Sequence, residues 1–113
     1  MVNRTMIKDN IKNFTKGWFI GNFEPSLLKT ADFEVSIQHH KKGDTPEKHY
    51  QKIATEYNVV VSGSLISNGE MIGPGDIFIF EPMEITDVVF LEDSEIVCVK
   101  TPSLGFDDKV IVD

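Results

Sequence analysis

The chain has 113 residues, a formal net charge of −7, one Cys and three His, with 41% hydrophobic and 26% charged residues. A domain of this size buries about two-thirds of its unfolded surface, enough for a single core, and the composition is that of a folded chain rather than a disordered one. The single Cys excludes an internal disulfide and a Cys-rich zinc site, and no apolar run approaches the roughly 20 residues of a membrane-spanning helix.

Residues 1–16 are polar and contain no signal-peptide core. They are expected to be a partly flexible lead-in to one domain spanning residues 1–113, in a cytoplasmic protein. On that reading the sequons at Asn3-Arg4-Thr5 and Asn13-Phe14-Thr15 are accidental. Gly17-Trp18-Phe19-Ile20 is a short apolar run closed by Gly21-Asn22. Phe33-Glu34-Val35-Ser36-Ile37-Gln38 alternates strictly, which predicts a strand with Phe33, Val35 and Ile37 on one face. Lys41-Lys42-Gly43-Asp44-Thr45-Pro46 reads as a turn, followed by a short strand over residues 48–52. Residues 57–61 are β-branched and aromatic. Asn68-Gly69, between the extended segments around Ile66 and Met71, predicts a type I′ hairpin, because both central residues need positive φ. Gly73-Pro74-Gly75-Asp76 leads into Ile77-Phe78-Ile79-Phe80, and Pro82 ends that strand. Further strands are predicted over 87–91, 96–101 and 109–112. About nine short strands and no long helix indicate an all-β sandwich or closed barrel.

Charge is unevenly divided. Residues 1–56 carry nine Lys/Arg and seven Asp/Glu, whereas residues 57–113 carry two and eleven, and no Lys or Arg lies between Lys52 and Lys100. Such a surface repels phosphate backbones, so neither nucleic acid nor a membrane is an expected partner. Arg4 is the only arginine. That disfavours bidentate clamping of a sugar nucleotide's phosphates.

One spacing decides the fold. Gly43 is followed after five residues by His49, then Tyr50 and Gln51, then after four residues Glu56, then after six residues Gly63. His49 and Gln51 stand at i and i+2, so a strand turns both to one face. Glu56 opens the next strand and can reach that face across the turn, and Gly63 permits a sharp bend. This pattern resembles the first motif of the cupins, with Gln51 in place of the second His. Gly75-Asp76-Ile77-Phe78-Ile79-Phe80-Glu81-Pro82 resembles the start of their second motif. There Met83 stands where a Gly belongs, and Thr86, or Asp87 with a one-residue slip, stands where a His belongs. The resemblance implies a cupin-type jelly-roll β-barrel (a double-stranded β-helix). It also implies a site in the barrel mouth that holds one divalent metal in complete members of the family. The carried-over metal ligands are His49, Gln51 and Glu56, with Thr86 or Asp87 as the fourth position. Gln51 is a weak ligand for zinc or iron. The alternative is a hydrogen-bonded polar cluster, since Gln51 both donates and accepts.

The expected ligand-binding residues of the mouth are therefore His49, Gln51 and Glu56, with His39 and Asp87 beside them. His39 enters because it shares the alternation of Val35 and Ile37. Tyr50 alternates away from His49 and reads as packing, and Cys98 as an inert buried thiol. The catalytic residues are not specified. Three functions are compatible with this reading: a barrel that binds a small molecule without a metal or with a weakly held one, for sugar-related or regulatory duties, a metal-dependent isomerase or dioxygenase using His49 and Glu56, and a metal-free sugar-nucleotide epimerase or isomerase working by acid/base chemistry. A homodimer is expected, with the apolar Trp18-Phe19-Ile20 run as an edge for a partner subunit to cover.

Overall fold

Each strand expected from the sequence forms in the computed structural model, which describes residues 6–113, within two residues of its expected limits. Arg4 and the first sequon lie outside the described residues. The strands are β1 (Trp18–Ile20), β2 (Glu34–His40), β3 (His49–Gln51), β4 (Thr55–Ser62), β5 (Leu65–Ser67), β6 (Glu70–Ile72), β7 (Ile77–Phe80), β8 (Val88–Phe90), β9 (Ser94–Thr101) and β10 (Lys109–Ile111). Short 3₁₀ turns cover Ile11–Asn13, Thr15–Gly17 and Gly105–Asp108. A five-stranded sheet runs in the order β1-β2-β9-β4-β7. A three-stranded sheet, β6-β5-β8, and a two-stranded one, β10-β3, complete the double-stranded β-helix.

Turn chemistry fixes the connections. The β5–β6 hairpin turns on Asn68 (φ 51°) and Gly69 (φ 84°), as the type I′ reading requires. Gly63 (φ 88°) ends β4, and a Cβ there would run into Ser94 and the Asp93 carbonyl. Met83, in the turn Glu81–Glu84, has φ 73° and so occupies the left-handed conformation that a Gly would take without strain. The β3–β4 turn is held by Asp108. This buried carboxylate accepts the backbone N–H groups of Ile53 (2.9 Å) and Ala54 (2.9 Å).

The apolar core lies at one end of the barrel. Val60 and Ile96 of the five-stranded sheet meet Leu65, Ile72 and Phe90, with Phe78 and Val88 packed against them. Each such buried side chain contributes about 1.5–3 kcal/mol relative to exposure. Toward the other end the same inward face turns polar, with buried Glu34, Ser36 and Asn58.

The alternation of β2 resolves in one direction. On β2 the inward residues are Glu34, Ser36, Gln38 and His40, while Val35 and Ile37 face outward. The usual apolar-inward preference is reversed on this strand. Its inner side lends a polar row to a cavity whose other walls are largely aromatic, and the outer face is a continuous apolar surface. Val35 and Ile37 pair with Val99 and Val97, these with Tyr57 and Val59, and these with Ile79 and Ile77.

Candidate functional site

The inward polar face opens into a cavity of about 990 Å³. Register builds its central row. Lys100 of β9 lies opposite Glu34 of β2 on one side and Glu56 of β4 on the other. Adjacent strands put such neighbours about 4.5–5.5 Å apart at Cβ. Glu34 is 3% exposed, and its Oε1 accepts from Ser103 Oγ (3.0 Å) and the Gly105 backbone N–H (3.2 Å). Glu56 Oε2 accepts from Asn58 Nδ2 (3.0 Å). Lys100 Nζ makes no ion pair within 4.0 Å among the described residues and lies 4.9 Å from the Trp18 ring centroid. That is a cation–π distance, worth about 0.5–1 kcal/mol or more.

Two histidines join this wall. His49, on β3, has Nδ1 2.9 Å from the Glu47 carbonyl oxygen. A carbonyl only accepts, so Nδ1 carries the proton and Nε2 is left as an acceptor. Thr86 Oγ1 lies 3.2 Å from the same Nδ1, and the Thr86 backbone N–H donates to the His49 carbonyl (2.8 Å). Burial holds the His49 imidazole below the usual histidine range. The Glu47 carbonyl and the Glu56 carboxylate oppose this, and the Lys109 and Lys100 ammonium groups add to it. His40 stacks on Phe90, with centroids 4.1 Å apart, and its Nε2 lies 3.1 Å from Gln38 Oε1. Burial lowers its pKa too, against the raising effect of Asp44. Both rings are therefore neutral at pH 7. Burial pushes the Cys98 thiol well up, with Glu56 adding to the shift, so it is no nucleophile.

The expected site residues divide. His49 and Glu56 line the cavity, and Thr86 stands beside His49. Gln51 shares the face of His49 but is 4% exposed, does not line the cavity, and both its amide atoms are buried without a hydrogen-bond partner. His39 also lines the cavity, but its side chain is 66% exposed on the outward alternation and lies 3.6 Å from Glu95. The Asp87 side chain is 63% exposed and pairs with Lys48 Nζ at 3.8 Å, while Thr86 lines the cavity. Glu34, His40, Lys100, Lys109 and Trp18 are site residues that the sequence reading did not select. The Glu34–Lys100–Glu56 row emerges only once β2, β9 and β4 are paired.

The donor set does not fit the divalent metal of complete cupins. One imidazole and one carboxylate are the strong donors, and no group of three His, Cys, Asp or Glu converges among the described residues. The fourth position is a hydroxyl tied to His49, and two ammonium groups act on the same imidazole. A divalent cation would face that charge with a single strong carboxylate beside it.

Comparison with known proteins agrees on the fold. No model of a known protein family matches the chain, and no curated protein matches it in sequence. Solved structures do. An uncharacterised conserved protein with a double-stranded β-helix domain from Klebsiella pneumoniae superposes with a TM-score of 0.64 at 22% identity, over 77% of this chain and 80% of that one. KdgF from Halomonas sp. gives 0.60 at 24% identity, over 65% and 71%. Oxalate decarboxylase from Bacillus subtilis gives 0.67 at 18% identity, over 74% of this chain but only 24% of that enzyme. The molecule therefore has the cupin fold. No helix among the described residues is long and apolar enough to cross a membrane.

Proposed function

We propose that this barrel binds a small organic molecule in its mouth and does so without a tightly held metal ion. The observation that carries this reading is the 990 Å³ cavity, whose walls combine aromatic faces with a few fixed polar groups. Ligand sites typically enclose about 300–1,000 Å³ with that mixture. Trp18 and the phenyl rings offer flat apolar faces, and Glu34, Asn58 and Glu56 offer acceptors and a donor, which also suits a sugar ring. The test is elemental analysis of the purified protein combined with a thermal-shift screen of sugars, alcohols, amides and acids. Substoichiometric zinc, iron, nickel and manganese together with a stabilising ligand supports the reading. Full occupancy by any of these metals overturns it and favours the metal-dependent enzyme.

The protein is further proposed to act as a cytoplasmic homodimer that binds neither nucleic acid nor membrane. The outward sheet face supports the pairing. It carries Ile77 (66% exposed), Ile79 (48%) and Tyr57 (42%), with a single acid–base pair, His39–Glu95, at its end. An uncharged face is self-complementary, as a two-fold interface must be. An acidic chain gains least repulsion by meeting its copy there. β1 is also an edge of this sheet. Sedimentation is expected to show a dimer at micromolar concentration, and a monomer for Ile77→Lys/Ile79→Lys. A wild-type monomer refutes the pairing.

A further inference from the structure

We infer that the ligand is a small organic acid, its carboxylate received by the ammonium groups of Lys100 and Lys109 and its body laid against Trp18 and the neighbouring phenyl rings. The inference rests on the ligand-binding reading above and names the class of ligand for that same cavity.

The charge distribution is the first observation. After Lys52 the chain has twelve carboxylates and two cations, and those two cations, Lys100 and Lys109, both line the cavity. A random placement on the solvated surface would serve solubility equally well, so their position calls for a reason. Neither ammonium has a carboxylate within 4.0 Å among the described residues. Lys109 lies opposite Gln51 in the β10–β3 pair, and Lys100 lies opposite Glu56 at the start of β4, just across the β3–β4 turn. Two ammonium groups lining one cavity form a receptor for an anion.

The chemistry of the surroundings selects the anion. Lys100 stands in register between Glu34 and Glu56, so the two carboxylates beside it repel a doubly charged phosphate more than a single carboxylate. The nearby walls are Trp18, Phe78, Phe80 and Phe90, which suit an acid with an apolar or ring-shaped body. The carboxylates of Glu34 and Glu56 are fixed by Ser103, Gly105 and Asn58. They do not receive an anion. They accept hydrogen bonds, so hydroxyl groups on the acid have partners beside the charged end, and a second carboxylate on the ligand is repelled.

Titration calorimetry on the full chain tests this with pairs of probes: lactate, gluconate, 3-phenyllactate and hexanoate, each against its primary amide, with inorganic phosphate as a separate arm. At least one acid is expected to bind about tenfold or more tightly than its amide, since a hydrogen bond to a charged group is worth more than one between neutral groups. Lys100→Met and Lys109→Met are each expected to erase most of that preference while leaving the circular dichroism spectrum unchanged. Phosphate binding as tight as the best acid would overturn the assignment. Amides or neutral sugars binding as well as the acids would overturn it too, and would leave the ligand-binding barrel standing. No binding by any probe up to millimolar concentration would overturn both.

Discussion

Gln51 offers the sharpest test of whether the metal site of complete cupins has been lost here. Its side chain is 4% exposed and neither amide atom has a partner. A buried amide left unsatisfied costs about 1–3 kcal/mol by mutational measures. Methionine is close to glutamine in length and volume and carries no strong polar group, so Gln51→Met removes that penalty at little packing cost. The variant is expected to be more stable by about 1–3 kcal/mol. For a domain of this size that corresponds to a rise in Tm of roughly 4–12 °C. Urea unfolding followed by Trp18 fluorescence and far-UV circular dichroism measures it, with an unchanged m-value confirming that only stability moved. Loss of 1 kcal/mol or more would refute the reasoning, because it would mean the amide has a partner in the folded protein. If a chelator then lowered the wild type to the level of the variant, that partner would be a metal and Gln51 would be its ligand.

Three other substitutions or conditions follow from the same geometry. Asp108→Ala removes the acceptor for the N–H groups of Ile53 and Ala54, and is expected to cost about 2–4 kcal/mol in urea unfolding, with Asp108→Asn losing less than half as much. A cost below 0.5 kcal/mol for the alanine variant would show that the turn does not depend on it. Met83→Gly relieves a left-handed residue worth about 1–2 kcal/mol against an added unfolded-state entropy of about 0.5–1 kcal/mol, so a gain of up to about 1 kcal/mol is expected and a loss would contradict the strain. His40 and His49 both have folded pKa values below the unfolded value, so the unfolded chain binds more protons and stability falls as pH drops from about 6.5 through those lowered values. The urea midpoint is expected to fall between pH 7.5 and 5.5, and a His40→Gln/His49→Gln variant to flatten that slope. An equal slope in both would place the titration elsewhere.

The fold was legible because its signals are local and chemical. Asn68-Gly69 specifies a hairpin through the φ angles of two residues, and Gly63 marks a bend that admits no Cβ. The Gly43–His49–Glu56–Gly63 spacing fixes where two strands and a turn must fall. Part of the site was legible for the same reason: His49 and Glu56 are set by that spacing alone. Glu34 and Lys100 were not. They lie on strands far apart in sequence, and only the pairings of Glu34 with Lys100 and of Lys100 with Glu56 bring them into one row. Lys109 enters through a separate pairing, opposite Gln51.

The inversion of β2 has a further consequence. Alternation tells which residues share a face, but not which face is wet. Burial of apolar area, the usual driving force, favours Phe33, Val35 and Ile37 inside. Here the interior beside them holds Glu34, Ser36, Gln38 and His40, and the apolar side of the sheet faces away from it. A chain that keeps its polar row inside and a valine- and isoleucine-rich face outside forgoes hydrophobic stabilisation as a monomer. The two proposals supply separate gains that would offset that: a ligand meeting Lys100 and Lys109 would satisfy the inner face, and a second copy of the chain would cover the outer one. Binding to the folded state alone raises apparent stability by mass action in both cases. The two contributions separate experimentally: the midpoint of unfolding is expected to rise with protein concentration in the wild type but not in Ile77→Lys/Ile79→Lys, while an organic acid is expected to raise it in both.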